Sequence, residues 1–364
     1  MSLLDHLTIS RCSLYQYQIK LTPYLPVGKQ RIDCRKGLVL EIQLNNQQTA
    51  WVEIAPLSGL DINSQVISGF SQESLAEVQW QLQHVLANLI DQPLAILNDM
   101  AQQMSLPSLA FALSLLDAKL THKLPIRIDN PHTQSAVVPL LYDGMSIEVM
   151  TQKLLTQGDI NSVKVKVAQT DMASEIQFVY QILAIAPHVT LRLDANAGFS
   201  LEQAIGFLAC LPKHKIEYIE EPCINPNDNR QIYRQLGIKY ALDESLNSPQ
   251  FDLDVALQQP GLGALIIKPM LLGSLEKLQN MISQAHLEGV RCILSSSLEA
   301  NMGINDLRLV SQALTPDESP GLDTLSAFTQ PLLLATSELS PQLNEQVLEP
   351  LMHIGQARDS NKVN

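Results

Sequence analysis

Seven short apolar runs rich in β-branched residues recur along this chain at nearly constant spacing, and that repeat restricts the possible folds more than any other feature. They are AVVPLLY (136–142), VKVKVA (163–168), LRLDAN (191–196), EYIEEP (217–222), YALDES (240–245), ALIIKP (264–269) and RCILSSS (291–297), with a weaker eighth at PGLDT (320–324). Their starts lie 27, 28, 26, 23, 24 and 27 residues apart, leaving room after each strand for one helix of about ten to fifteen residues. Such a series of βα units, with no antiparallel hairpin inside it, favours a parallel barrel ringed by helices over an open doubly wound sheet. No glycine-rich phosphate loop follows any strand, so a dinucleotide-binding sheet loses its main support.

Ahead of the repeat, up to about Leu124, strands precede helices. Leu14–Leu21, Gly37–Leu44 and Thr49–Ile54 read as strands, with Asn45-Asn46-Gln47-Gln48 as a hairpin turn between the last two. Ser71-Gln-Glu-Ser then offers a helix start, and Leu75, Val78, Leu82, Val85, Leu86 and Leu89 fall on one helical face. A second helix is expected after Pro107, turning Leu109, Phe111, Leu113 and Leu116 inward. The tail beyond Phe328 is too short for another βα unit and is expected to pack back across this first region.

The chain has 364 residues, 46% hydrophobic and 17% charged, enough for one large or two modest globular domains. Its 24 Lys and Arg against 37 Asp and Glu leave a formal charge of −13, which argues against nucleic acid as a partner. No run is long enough to span a membrane, and the N-terminus MSLLDHLTIS lacks a basic start followed by an apolar stretch. A cytoplasmic protein is expected. Cys12, Cys34, Cys210, Cys223 and Cys292 are scattered and never form a Cys-x-x-Cys pair, so they read as reduced, buried thiols.

In a barrel of this kind, chemistry sits at the carboxyl ends of the strands. The polar residues that interrupt the runs there are Lys164 and Lys166, Asp194 and Asn196, Glu220, Asp243, Lys268, and Ser295, Ser296 and Ser297. Strand alternation turns Lys164 and Lys166 the same way, likewise Asp194 and Asn196, and allows only one of Glu220/Glu221 and one of Asp243/Glu244 to face the mouth. Three carboxylates on successive strands can offset two buried lysines and hold a hard divalent cation through oxygen, magnesium or manganese rather than zinc. Taken singly, each residue has a structural reading. A strand-end Asp caps a helix, a lysine pair marks a solvated edge strand, a serine run caps a turn, and the eight histidines lack ligand spacing. Their joint occurrence at five successive strand ends favours a site. Two lysines sharing a face near a metal would lower each other's pKa, so one could act as a base, and a metal-held carboxylate would stabilise the enediolate left when the α-proton departs. Lys268, on the sixth strand, can approach the other face of the same substrate.

These motifs resemble the enolase superfamily and its muconate-lactonizing-enzyme subgroup, through Lys-x-Lys (VKVKVA), Asp-Ala-Asn (LRLDAN), Glu-Glu-Pro (IEEPC), Asp-Glu-Ser (LDESL) and the Lys-Pro of IIKPM. Within it the chain is similar to the proteobacterial o-succinylbenzoate synthase family in EIAPL (53–57), GFSQES (69–74), PSLAFALS (107–114), GSLEK (273–277), SSSLEANMG (295–303) and PGLDTL (320–325). The resemblance implies an α/β fold, a modified TIM barrel (β/α)7β over 126–328, with an N-terminal α+β capping domain over 1–125 completed by about 329–364. It implies Lys166 as the α-proton base with Lys164 as its partner, and Asp194, Glu220 and Asp243 as metal ligands. Lys268 would stabilise the enediolate, and Asn196, Arg192, Ser295, Ser296, Ser297 and Gly321 would support the site or touch substrate. The implied cofactor is Mg2+, with Mn2+ as a substitute. The implied substrate is a small carboxylate, 2-succinyl-6-hydroxy-2,4-cyclohexadiene-1-carboxylate (SHCHC), dehydrated to o-succinylbenzoate in menaquinone biosynthesis.

One departure stands out. Residues 58–68 (SGLDINSQVIS) intervene where the family runs almost directly from EI-x-PL into GFSQE, so the lid over the substrate is expected to differ. Phe199 also stands where relatives often carry tryptophan. Dipeptide epimerase or N-acylamino acid racemase activity is the main alternative, and Asp323 is the only acidic residue that PGLDTL offers for an epimerase's substrate ammonium. Muconate cycloisomerase and mandelate-type racemase readings lack their own signatures, and a non-catalytic barrel would leave a full set of competent residues unexplained.

Overall fold

The computed structural model describes residues 6–124, 138–156, 160–335 and 341–355. The proposed boundary at 125/126, the first two residues of the 136–142 run and part of the tail lie outside them. Among the described residues no helix is long and apolar enough to cross a membrane.

The chain opens with an antiparallel sheet in the order β13-β1-β2-β3, built from β1 (Ile9–Val27), β2 (Gln30–Leu44), β3 (Thr49–Ile54) and, from the far end of the chain, β13 (Leu348–Gly355). The first two strands are longer than their apolar centres suggest. Pro23 and Pro26 look like breakers, but the register shifts between Lys20 and Leu25, where Pro23 needs to donate no ladder hydrogen bond. Gln47 takes the left-handed turn between β2 and β3 (φ 72°).

Helices α1 (Leu75–Leu86), α2 (Ile96–Gln103) and α3 (Pro107–Leu120) cover this sheet. Helix α1 is capped by the last residue of the Ser71-Gln-Glu-Ser stretch: Ser74 and Glu77 form a capping box, while Ser71 Oγ accepts the Leu57 amide. Helix α2 lacks a side-chain cap and has no counterpart in the sequence reading. Helix α3 is buried on nearly every side, because it lies between β3 and the barrel helices α9 (Pro269–Leu272) and α10 (Leu275–Leu287).

The barrel sheet runs β10-β9-β8-β7-β6-β5-β4, entirely parallel, with chain neighbours as spatial neighbours. Its strands are β4 (Leu140–Tyr142), β5 (Ser162–Lys166), β6 (Thr190–Asp194), β7 (Ile216–Glu220), β8 (Tyr240–Leu242), β9 (Leu262–Ile267) and β10 (Arg291–Leu294). Between and after them lie α4 (Ile147–Thr156), α5 (Met172–Ile185), α6 (Leu201–Ala209), α7 (Asn229–Leu236), α8 (Leu253–Leu257) and α11 (Asn301–Leu314), and two two-residue strands, β11 (Leu333–Leu334) and β12 (Gln342–Leu343), follow. The weak eighth run is reduced to a single bridge between Ser295 and Gly321. Even so it closes the ring: the Gly321 amide donates to Leu294 and the Val138 amide to Pro320, at 2.8 and 3.3 Å. One continuous apolar core runs through both regions, from Leu40 and Ile54 of the first sheet to Val165, Leu193 and Ile267 of the barrel.

Cys12, Cys223 and Cys292 are buried as expected, but Cys34 is half-buried and Cys210 exposed, since Cys210 caps the solvent end of α6.

Candidate active site

Parallel adjacency carries residues far apart in sequence to one end of the barrel. Lys166 pairs in register with Asp194, and Asp194 with Glu220, so the last residues of β5, β6 and β7 stand side by side. Lys164 Nζ reaches both carboxylates, 2.9 Å from Asp194 Oδ2 and 2.6 Å from Glu220 Oε2. Lys166 Nζ donates to Asp194 Oδ2 at 2.7 Å and to Asn196 Oδ1 at 2.5 Å. Just past β9, Lys268 donates to Asp243 Oδ2 at 2.7 Å. All three carboxylates are buried.

Charge decides the protonation of this cluster. Burial works to lower the Lys164 pKa, yet Asp194, Glu220 and Asp243 outweigh it and hold the ammonium well above its ordinary value. Three carboxylates thus face Lys164 and hold its charge. Burial likewise works to raise Asp194, and Lys164 and Lys166 overcome it and hold the carboxyl well down. Glu220 is pushed up by burial against Lys164, with Asp194 and Asp243 adding to the rise.

The backbone turns sharply where the strands end. Asn196, Ala197 and Glu221 take left-handed φ of 42°, 53° and 33°, conformations that cost about 1 kcal/mol or more each and cluster at functional sites. The turn after β6 sets Asn196 between Lys166 and Glu244, to which its amide Nδ2 donates at 2.7 Å. Glu244 is a correction to the alternation argument. β8 ends at Leu242, and residues 244–247 form a 3-10 turn in which neighbours no longer point to opposite faces. Glu244 therefore joins Asp243 at the site, and burial, with Asp243 beside it, pushes its carboxyl up to about 7. Glu221 does turn away, accepting the Asp243 and Ser245 amides at 3.0 and 2.9 Å and so shaping that turn.

Five other expected residues have different surroundings. Ser295 and Gly321 border a small internal cavity of about 10 Å³ together with Lys164 and Glu220, and Ser295 Oγ donates to the Gly321 carbonyl at 3.2 Å. Ser296 instead pairs its hydroxyl with Thr324, and Ser297 is buried with its amide on Glu299 and its carbonyl on Arg35. The Ser297 hydroxyl is buried without a hydrogen-bond partner. Arg192 lines that same cavity, in register with Lys164, and its guanidinium is engaged by Glu217 at 3.0 Å and by the Ser319 carbonyl at 2.8 Å. Arg291 bonds the same Glu217 and also Glu318.

Missed altogether by the strand-end argument is Phe70, whose ring lies 5.6 Å from Lys268 Nζ. Its signal was in the GFSQES motif, but its placement depends on packing between the two regions.

The oxygens present suit a hard cation. Lys164 shows that one positive group can reach Asp194 and Glu220 together, and Asp243 Oδ1 is buried without a hydrogen-bond partner. Among the described residues, however, no three His, Cys, Asp or Glu side chains converge as a ready ligand set. The lysine ammoniums take the carboxylate oxygens instead.

Comparisons with known proteins agree with this architecture. Residues 9–120 match the family model described as MenC, N-terminal domain, and residues 147–340 match Enolase C-terminal domain-like. The chain is 32% identical over 317 residues to an o-succinylbenzoate synthase of Yersinia enterocolitica, covering 86% of this chain and 90% of the relative. It is 31% identical over 346 residues to one of Klebsiella pneumoniae, covering 93% and 98%. Among solved structures, the o-succinylbenzoate synthase of Thermosynechococcus elongatus, complexed with Mg in the active site, superposes with a TM-score of 0.69 at 21% identity, over 88% of this chain and 97% of that one. The L-Ala-D/L-Glu epimerase of Bacillus subtilis superposes with a TM-score of 0.72 at 19% identity, over 93% and 96%.

Proposed function

The chain belongs to the o-succinylbenzoate synthase family of the enolase superfamily, and from that membership we propose that it is a lyase that dehydrates SHCHC to 2-succinylbenzoate in menaquinone biosynthesis. The observation that carries the reading is the meeting of Lys164, Lys166 and Lys268 with Asp194, Glu220 and Asp243 at the barrel mouth.

Lys166 takes the proton α to the ring carboxylate, and Asn196, bonded to it, orients that nitrogen. Lys164 and Lys268 present ammoniums to the negative charge that develops on the enediolate. Lys166 then returns its proton to the departing hydroxyl, which leaves as water while the ring becomes aromatic. Asp194, Glu220 and Asp243 would hold a magnesium or manganese ion, which would supply divalent charge to the substrate carboxylate. Low water access follows from the burial of the carboxylates and strengthens each of these interactions.

Dipeptide epimerisation would use the same lysines, and neighbours with that activity share the fold. Asp323 argues against it. The carboxylate that would receive a substrate ammonium already pairs with Lys153 and accepts the Leu140 amide at 3.0 Å, where it serves barrel closure. The test is direct: purified protein with magnesium and SHCHC produces the ultraviolet rise of the aromatic product. Lys166→Ala lowers kcat by at least about a thousandfold, and thorough chelation abolishes the rise. Racemisation of Ala-Glu-type dipeptides without dehydration of SHCHC would overturn the proposal.

A further inference from the structure

Lys268 has two neighbours of different kinds. On one side Asp243 accepts its proton-bearing nitrogen at 2.7 Å; on the other the ring of Phe70 lies 5.6 Å from the same atom, within the range of an ammonium held over an aromatic face. Phe70 comes from the capping region and Lys268 from the barrel, so this contact crosses between them.

The ring is braced. Gly28, in the tight turn between β1 and β2 (φ 58°), lies against the ring, where an added Cβ would sit 3.8 and 3.9 Å from two of its carbons. Phe70 also packs into an apolar cluster with Leu57, Ile67, Val27 and Leu298. Residues 58–68, the departure from the family pattern, form the rest of the brace. Asp61 Oδ1 accepts the Asn63 and Gln65 amides at 2.8 Å each, and Leu60 bridges Val66, making a small closed hairpin. Gln30 clamps that hairpin from β2, donating to Asp61 Oδ2 and the Val66 carbonyl and accepting the Ser68 amide. Its two ends are stitched where the Leu57 amide donates to Ser71 Oγ at 2.8 Å. Beyond them Gln72 donates to the Asn247 carbonyl at 2.7 Å, tying the segment to the turn that carries Glu244.

We propose that Phe70 is a positioning residue for Lys268, fixing the ammonium on its side of the substrate, and that the 58–68 hairpin braces Phe70 in place. This rests on the reading of Lys268 given above. Phe70→Leu keeps apolar bulk but removes the π face, whereas Phe70→Tyr and Phe70→Trp retain it. Phe70→Leu is expected to lower kcat roughly tenfold with KM within about twofold, and the two aromatic variants to stay within about threefold of wild type. A readout independent of turnover is acetylation of the purified protein by an amine-reactive reagent, followed peptide by peptide. Lys268 in Phe70→Leu should label at least about threefold faster than in wild type, with Lys153 unchanged. Loss carried by KM alone, Tyr falling as far as Leu, or Lys268 labelling at the wild-type rate overturns the proposal. If instead wild type fails to turn over SHCHC, or Lys268→Ala keeps full activity, the functional reading fails while the labelling result still decides whether Phe70 holds Lys268.

Discussion

Glu299 is fully buried just beyond the barrel strand β10, and its carboxylate neighbour Glu53 reaches in from the capping sheet. Glu53 has partners to spare, the Tyr17 hydroxyl at 2.5 Å and the Ala300 and Gly303 amides at 2.8 Å each. Glu299 accepts the Ser297 amide, and its Oε1 is left without a hydrogen-bond partner. Burial, with Glu53 adding, therefore pushes Glu299 from the ordinary 4.5 up to about 7. The folded protein holds a proton here that the unfolded chain releases, so stability is highest below about pH 4.5 for this group and falls as pH rises toward 7. The full penalty, about 3 kcal/mol, is present above that. Glu299→Gln should remove it: thermal melting scanned from pH 5 to 8 is expected to be flatter for the variant, which should melt higher than wild type at pH 8. A steeper fall in the variant would show that the carboxylate is ionised and stabilised as it stands. At Asp194 the balance runs the other way, since the lysines beside it supply the charge that Glu299 lacks.

The barrel strands place chemistry by register, and the elements after them place it by turns. Alternation correctly sets Lys164 with Lys166, because β5 remains extended through both; Glu221 also turns away from Glu220, but after β7 has ended, at a left-handed φ of 33°. Alternation fails at Glu244, where the chain has already left β8 for a 3-10 turn. The 58–68 hairpin belongs to this scale as well. Its hydrogen bonds are local except for those to β2, where Gln30 makes three and the Arg31 carbonyl accepts the Ile62 amide at 2.9 Å. Gln30→Ala should therefore loosen the hairpin without unfolding the sheet. Amide exchange followed by mass spectrometry is expected to quicken about tenfold or more in 61–68 and to stay unchanged in 36–44. Unchanged exchange in 61–68 would mean that the Asp61 turn alone holds it.

Across the whole molecule, the two regions are locked rather than merely adjacent. Arg35, buried on β2, spends its guanidinium on five backbone carbonyls: Lys36, Ala55 and Pro56 of its own region, and Ser297 and Leu298 of the barrel. Glu53 adds to this by binding the first amides of α11, the electropositive end of that helix. Lys119 of α3 joins in from behind, 2.6 Å from Asp306 of α11. Arg35→Met keeps the volume but strands several buried carbonyls, and is expected to cost about 3–5 kcal/mol. Urea unfolding followed by the fluorescence of Trp51 and Trp80, both in the capping region, should show the midpoint fall accordingly, and a loss below about 1 kcal/mol would refute the lock.

From its sequence alone this chain revealed the parallel repeat and the residues at each strand end, since both depend on local periodicity and on strands that neighbour each other in chain order. Lys164, Lys166, Asp194 and Glu220 could be brought together on that basis because β5, β6 and β7 are consecutive in the sheet. What required the tertiary structure was which partners each side chain meets. Arg192 and Asp194 share a face, yet Arg192 spends its guanidinium on Glu217 and the Ser319 carbonyl while Asp194 receives Lys166. Phe70 meets Lys268, and Arg35 meets Ser297, only because two regions pack together; contacts of that kind leave no period in the sequence, and long-range packing alone decides them.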